Sequence, residues 1–93
     1  MALEFTWDPK KAEFNRRKHG VDFLEAVTAF DDPMSTTISD PDHALGEHRF
    51  LLIGQTSKAR LIVVSHTERG HSIRLINARR ATRRERTQYE EGS

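Results

Sequence analysis

The chain has 93 residues, of which 35% are hydrophobic and 31% charged, with a formal net charge of +1 and no cysteine. This length predicts one domain over residues 1–93 with a small core, and the lack of cysteine excludes disulfides and thiolate zinc sites. No run of about 20 apolar residues and no apolar secretion signal is present, so we expect a cytoplasmic protein that binds no membrane.

The charges are divided unevenly along the chain. Residues 1–47 include five basic and ten acidic residues, whereas residues 48–93 include ten basic and four acidic ones. Such a division indicates either a basic surface for a polyanion or pairing between the two halves. The composition alone leaves both interpretations open.

A strand and a helix are predicted first. Apolar and polar side chains alternate over residues 3–7, which is typical of a half-buried strand. Asp8 and Pro9 then resemble a helix start, and Gly20 is suited to a left-handed helix end. We therefore expect a helix over residues 9–19.

A second helix is predicted from the spacing of four apolar residues between residues 23 and 30. Asp22 and Glu25 resemble a capping box at its start, with aspartate in place of serine or threonine. Pro33 ends it, because proline lacks a backbone donor. A short edge strand over residues 35–39 follows.

Three apolar runs predict three further strands, over residues 49–54, 61–65 and 73–78. The segments that separate them, residues 55–60 and 66–71, have lengths that suit hairpin connections. The simplest arrangement is an antiparallel meander.

A last helix is predicted by Thr82 and Glu85, which form a T-x-x-E capping box, and it extends to about Glu90. Its apolar surface is small, so it requires ion pairs or a partner to lie against. Together the elements predict an α+β fold with an N-terminal strand and two helices, an antiparallel meander and a C-terminal helix.

A dense series of arginines accompanies the last strand and helix. Its members are Arg69, Arg74, Arg79, Arg80, Arg83, Arg84 and Arg86, with Glu85 as the single acidic residue among them. A guanidinium binds phosphate oxygens two at a time and stays charged at neutral pH. We expect at least two of these arginines in a nucleic-acid site; the alternative is a solvated surface paired with the acidic half.

His66 is the best candidate for a catalytic acid or base. It is predicted to close an apolar strand, and Glu68 and Arg69 follow in the same loop, so a base, a carboxylate and a cation would lie together. The alternative is that His66 only caps the hairpin end. A metal site could be built from His43, His48, His66 and His71 by number alone. Their spacing matches no known metal-binding motif, so we expect no metal or other cofactor.

Three further side chains each have two possible roles. Lys18 either complements the dipole at the end of the first helix or joins a phosphate-binding surface. Arg49 either pairs with an acid such as Glu47 or points toward the later arginines. Tyr89 either anchors the last helix or stacks on RNA bases.

Short motifs occur in a specific order over almost the whole chain. They cover residues 5–11, 15, 18–21, 23, 26, 27, 30–33, 47–54, 73–81, 85, 86, 89 and 90. In this order and spacing they resemble the BrnT-type toxins of bacterial toxin–antitoxin pairs. Asn77 stands where a serine is expected in that family, and both residues are small and polar.

The resemblance implies a RelE-like α+β fold and a ribonuclease activity that stops translation. It also implies a cognate antitoxin of the BrnA type, a small ribbon-helix-helix protein that binds DNA. Operator DNA would be contacted only through this antitoxin.

The resemblance also implies roles for individual side chains. RelE-like toxins use basic and polar residues to help the RNA 2′-hydroxyl attack its adjacent phosphate. At matching positions this implies Arg49, Arg74 and Arg79 as phosphate ligands, with His66 or Glu68 as the base. The flanking RNA would be bound by Lys18, Arg69, Arg80, Arg83 and Arg86.

We therefore expect an endoribonuclease toxin that cleaves RNA without a metal ion. Two rival classes use the same arginines. One is a non-enzymatic RNA- or DNA-binding module, and the other is a purely protein-binding partner whose basic helix docks onto an acidic surface.

Overall fold

The structure is a computed structural model that describes residues 3–40 and 47–92. Its elements are β1 (Glu4–Thr6), α1 (Pro9–His19), α2 (Phe23–Thr28), a 3₁₀ turn (Ala29–Asp31), β2 (Thr36–Ser39), β3 (Phe50–Gln55), β4 (Leu61–Arg69), β5 (Ser72–Arg80) and α3 (Arg83–Glu91). This order confirms the predicted α+β fold.

The five strands form one mixed sheet in the order β1-β5-β4-β3-β2. Strands β2, β3, β4 and β5 pair antiparallel with one another in that order, which confirms the meander. Strand β1 pairs parallel with β5, with Phe5 beside Ile73. The sequence did not predict this pairing, because alternation shows which side of a strand is buried and not which strand lies next to it.

The hairpin between β4 and β5 is much tighter than predicted. Strand β4 continues to Arg69 and β5 begins at Ser72, so the loop contains only Gly70 and His71. Gly70 has a φ of 61°, which a two-residue hairpin loop requires and glycine adopts without strain. The prediction that residues 66–71 form a loop is wrong, because polar residues on a partly uncovered strand still pair in the sheet.

Helix α1 begins and ends where the sequence predicts. The Asp8 carboxylate accepts a hydrogen bond from the backbone of Lys10 at 2.8 Å, and Gly20 ends the helix with a φ of 70°. Across the described residues, no helix is long and apolar enough to span a membrane.

Helix α2 forms as predicted, but the prediction of a capping box at its start is wrong. The Asp22 side chain makes no capping hydrogen bond. Glu25 is instead buried, where it pairs with Arg60 and accepts a hydrogen bond from the Thr56 hydroxyl at 2.8 Å. This buried carboxylate ties α2 to the β3–β4 loop, a contact that lies too far along the chain for a local pattern to predict.

One surface of the sheet, here called the helix face, packs against α1 and α2. Its buried core consists of Val21, Phe23, Ala26, Ala29, Leu52, Ile62, Val64, Ile73, Leu75 and Ala78. Phe5 and Trp7 extend this core, and Trp7 meets Phe23 edge to face at 5.8 Å. The burial of these side chains is the main source of stability in so short a chain.

The opposite surface is here called the arginine face, because Arg49, Arg69, Arg74 and Arg79 extend from it. Helix α3 covers one half of this face, where Ala81 and Tyr89 pack on a small cluster of Ile53, Leu61 and Val63. The side chains of a strand alternate between the two faces, so the pairing register assigns each residue to one of them.

The Asn15 side chain hydrogen-bonds to the outer edge of β5, beyond the point where β1 ends. Its side-chain nitrogen donates to the carbonyl oxygens of Ala78 at 2.8 Å and Val21 at 3.0 Å, and its oxygen accepts from the Ala78 N–H at 3.0 Å. One buried amide therefore satisfies the backbone groups that a neighbouring strand would otherwise pair.

Candidate active site

Two arginines and a threonine form a row across the arginine face. Thr67 of β4 lies opposite Arg74 of β5. On its other side, extending the Phe50–His66 register by one residue brings Arg49 next to Thr67. Neighbouring strands are about 4.8 Å apart, so the backbones of the two arginines lie about 10 Å apart, one on each side of the threonine. A phosphate group fits between two such cations.

The hydroxyl group of Thr67 has no hydrogen-bond partner. Thr67 is 3% exposed, and its Oγ1 is buried and unpaired, alone among the side-chain oxygens and nitrogens of the described residues. A buried hydroxyl without a partner is costly, and in native proteins it often marks a ligand or water site. Here it lies between two arginines.

Glu47 lies beside this row. Its two carboxylate oxygens are 3.3 Å from Arg49 Nε and 3.4 Å from Arg69 Nη2. The pairing of Arg49 with Glu47 is one of the two roles predicted for this arginine. Both contacts are long for charge-assisted hydrogen bonds, and the Glu47 side chain is 35% exposed, so the carboxylate remains accessible.

Arg79 lies on the same face but is fully engaged by Glu85. Two parallel hydrogen bonds of 2.8 Å join its Nη1 and Nη2 to the two carboxylate oxygens. Glu85 also accepts the backbone N–H of Thr82 at 2.8 Å, which completes the predicted capping box. The arginine lowers the pKa of Glu85 to about 2. A phosphate could bind Arg79 only by displacing this carboxylate.

Tyr89 anchors the other end of α3. Its hydroxyl donates to Asp32 at 2.5 Å, and this bond raises the pKa of Tyr89 to about 12. Asp32 also accepts the backbone N–H of Gln55 at 2.8 Å. Of the two roles that the sequence left open for Tyr89, the structure shows the anchor.

Four other predicted cations lie outside this row. Arg80 ends β5 on the helix face, Arg83 and Arg86 lie on α3, and Lys18 lies in the last turn of α1; all four are exposed. Among the described residues, no carboxylate lies within 4 Å of Arg74 or of these four. Pairing with the acidic half of the chain therefore does not account for most of the arginine series.

The two predicted bases lie on the other side of the sheet. His66 is 1% exposed on the helix face, where its ring meets Phe30 edge to face at 5.0 Å and stacks on Phe50 at 5.8 Å. Burial lowers the pKa of its imidazole. Glu68 extends from the same face and is exposed. The structure therefore does not bring either residue together with Arg49 and Arg74.

The structure offers no grouped metal ligands in the part of the chain that it describes. Over residues 3–40 and 47–92, no three His, Asp or Glu side chains are close enough together to hold a metal ion. His43, one of the histidines considered from the sequence, lies outside the described residues.

Comparison with known families decides the assignment of the chain. The family described as "Ribonuclease toxin, BrnT, of type II toxin-antitoxin system" matches residues 7–85. The chain belongs to the BrnT family. Members of this family are ribonuclease toxins, so RNA is the substrate and a protein antitoxin the partner that membership implies.

A solved BrnT structure has the same fold. The crystal structure of the Brucella abortus ribonuclease toxin BrnT, at 1.1 Å resolution, is similar with a TM-score of 0.66 and 25% sequence identity. The match covers 88% of this chain and 100% of that chain. No curated protein matches the chain in sequence.

Two residues of the candidate site in this BrnT-family chain were missed by the sequence interpretation. Thr67 carries no charge, and the sequence interpretation assigned it to a loop. If the predicted strand had been extended to Arg69, the alternation of Ser65, Thr67 and Arg69 would have placed Thr67 on the arginine face. Glu47 was considered only as a partner of Arg49. Its contact with Arg69, 22 residues away, requires the folded sheet.

Proposed function

We propose that the arginine face is the active site of an endoribonuclease that cleaves RNA without a metal ion and thereby inhibits translation. The observation that carries the proposal is the row in which Arg49 and Arg74 flank the unpaired hydroxyl of Thr67. Cations held by rigid strands need little reorganisation when negative charge develops on a phosphate, which is the requirement for stabilising a phosphorane.

The proposed reaction uses the RNA itself as nucleophile. A base removes the proton of a 2′-hydroxyl, and O2′ attacks the adjacent phosphorus while Arg49 and Arg74 stabilise the charge on its oxygens. The bond from phosphorus to O5′ breaks, O5′ takes up a proton from water, and the protonated base returns its proton to the hydroxide that remains. The products carry a 2′,3′-cyclic phosphate and a 5′-hydroxyl.

We assign the role of base to Glu47. Its carboxylate is on the same side of the sheet as Arg49 and Arg69 and is accessible. The expectation that His66 or Glu68 is the base stays a prediction, and both side chains extend from the opposite face. A base must come within hydrogen-bond reach of the proton that it removes, which favours Glu47.

The other cations bind RNA around the cleavage site. Arg69, Arg80, Arg83, Arg86 and Lys18 would contact flanking phosphates, and their exposure supports this role. Arg79 remains a proposed phosphate ligand, but its two bonds to Glu85 favour a role in holding α3 against the sheet.

The antitoxin is proposed to be a ribbon-helix-helix protein of the BrnA type, through which alone operator DNA would be contacted. Strand β2 is the last strand of the sheet; its Ile38 is 50% exposed, and Met34, two residues before the strand, is 46% exposed. An exposed sheet edge with apolar side chains is a surface that proteins usually cover, which supports a protein partner here.

The test is cleavage of a labelled single-stranded RNA by the purified protein in the presence of EDTA. We expect cyclic-phosphate and 5′-hydroxyl ends. Arg74→Ala should lower the cleavage rate by about a hundredfold or more, because it removes a cation from the developing charge. Glu47→Gln should lower it by about a hundredfold. Glu68→Gln, an exposed carboxylate on the helix face, is the matched control and should leave the rate unchanged.

The outcomes separate the rival functions. Cleavage that depends on added magnesium or leaves 5′-phosphates would refute the proposed chemistry. RNA binding without any cleavage would favour a non-enzymatic module, and no RNA affinity at low salt would favour a protein-binding partner. Loss of activity in Glu68→Gln with full activity in Glu47→Gln would transfer the role of base to Glu68.

A further inference from the structure

Helix α1 presents an aromatic ring to solvent. Phe14 is 65% exposed, although a phenylalanine on a helix that packs against a sheet usually faces the core. A cavity of about 370 Å³ opens on one side of the residue and another of about 390 Å³ on the other. The exposed ring therefore lies between two cavities, which leaves it accessible for stacking.

Unpaired cations surround this ring. Lys10, Lys11 and Lys18 lie one turn away from Phe14 along α1, and the Lys18 ammonium is 5.7 Å from the ring centroid. Among the described residues, no carboxylate lies within 4 Å of these three lysines.

The two arginines of α1 differ from these lysines, because both are already paired with a carboxylate. Arg16 and Arg17 both bind Glu13, at 2.6 and 2.9 Å, so the one carboxylate near the ring is already neutralised. The positive charge available to a ligand is thus concentrated on Lys10, Lys11 and Lys18, all of which line the 370 Å³ cavity that opens toward β5.

A β-bulge in β5 forms the other wall of the 370 Å³ cavity. Ser65 pairs with Asn77 and His66 with Leu75, so Ile76 is the extra residue, and Ile76 and Asn77 both line the cavity. Bulges at sheet edges often redirect side chains toward a binding site. Asn77 follows Arg74 by three residues on the same strand, a distance of about 10 Å. One wall of the cavity therefore belongs to the strand that carries Arg74 of the proposed active site.

We propose that Phe14 is a stacking platform for an unpaired base of single-stranded RNA, whose phosphates are held by Lys10, Lys11 and Lys18. The inference deepens the proposed function, since it gives the substrate a second contact beside the arginine face. Aromatic rings set among cations are the usual means by which proteins hold single strands without reading their sequence. The concentration of unpaired lysines favours RNA over a protein, whose binding would require acidic residues to match.

The test measures binding apart from cleavage. A fluorescent single-stranded RNA of about 12 nucleotides, with 2′-O-methyl groups to prevent cleavage, is titrated with the protein, and anisotropy gives its affinity. Phe14→Ala should weaken binding about tenfold, and Phe14→Trp should retain or increase it. Leu24→Ala, at an apolar residue of α2 that is 74% exposed, is the matched control and should change nothing.

The lysines are tested by the salt dependence of the same titration. Each phosphate contact contributes about 0.7 to the slope of log affinity against log salt for single strands, so Lys10→Gln with Lys11→Gln should reduce the slope by about 1.4. Thermal unfolding checks that the variants fold, which the exposure of these side chains leads us to expect.

Failure of this inference is distinguishable from failure of the proposed function. If Phe14→Ala binds RNA as tightly as the parent chain, the stacking platform is refuted, whether or not the arginine face cleaves RNA. If Phe14→Ala weakens only the complex with the antitoxin, the ring is a protein contact and the inference is wrong. If Phe14→Ala weakens RNA binding while no variant cleaves RNA, the platform is supported and the nuclease mechanism fails.

Discussion

The two faces of the sheet are built from alternate residues of the same strands, yet they differ in almost every property. In β4, Ile62 and Val64 are buried under helices on one face, whereas Ser65 and Thr67 lie on the other among arginines. The helix face is mostly apolar where α1 and α2 cover it, and it holds His66 deep in the core. The arginine face is charged, only half covered by α3, and contains an unpaired hydroxyl. The difference indicates that stability and chemistry are separable by substitution.

The largest expected effect on stability comes from the helix face. Ile62 is fully buried, and Ile62→Ala removes its contacts and leaves a cavity, so it should lower the free energy of unfolding by about 2 to 5 kcal/mol. Urea denaturation measures this. RNA cleavage per folded molecule should remain unchanged in Ile62→Ala. Arg74→Ala should instead lower the cleavage rate and leave the free energy of unfolding nearly unchanged.

The matched control for this prediction is Ile38→Ala, because Ile38 is 50% exposed on β2. The same substitution there should cost less than about 1 kcal/mol. An Ile62→Ala variant whose folded molecules no longer cleave RNA would show that packing on the helix face affects the active site, so that stability and chemistry are not separable.

The ion pair of Arg79 and Glu85 gives the arginine face a pH dependence of its own in the acid range. Pairing lowers the pKa of Glu85 from 4.5 to about 2, so its contribution to stability is complete above pH 4.5 and is lost as the pH falls toward 2. The side chains are 36% and 21% exposed, so after solvent screening Glu85→Gln should cost about 1 to 2 kcal/mol at neutral pH.

Chemical denaturation at several pH values checks this prediction. The stability of Glu85→Gln should decrease less steeply than that of the parent chain between pH 4.5 and 2, because the titrating group is gone. Glu91→Gln, an exposed carboxylate of the same helix, should show the parent profile. Equal profiles for all three proteins would mean that the Arg79–Glu85 pair contributes nothing to stability.

The elements that the sequence predicted well are those with local signals. Asp8, Pro9 and Gly20 act within one helical turn, so the bounds of α1 were predicted to the residue. The capping box of Thr82 and Glu85 is equally local and was confirmed. Such signals require no knowledge of what lies across the fold.

The features that the sequence could not predict depend on contacts between distant residues. Asn15 bonds to Ala78, 63 residues away, and Glu25 to Arg60, 35 residues away. The same limit applies to the candidate site. The arginines were identified by their number, but the segment with His66 was assigned to a loop because its polar side chains resemble one. Only the pairing register of the strands shows that His66 and Arg74 lie on opposite faces of the sheet.

The smallest expected effect is at the anchor of α3. Tyr89→Phe removes the hydrogen bond to Asp32 and leaves the packing of the ring, so it should lower the free energy of unfolding by about 1 kcal/mol. Asp31→Asn, at the exposed neighbouring carboxylate, is the control and should have little effect. Because Arg74 and Thr67 lie on strands and not on α3, RNA cleavage should persist in Tyr89→Phe. Its loss would mean that the position of α3 on the sheet, and not the strand row alone, shapes the active site.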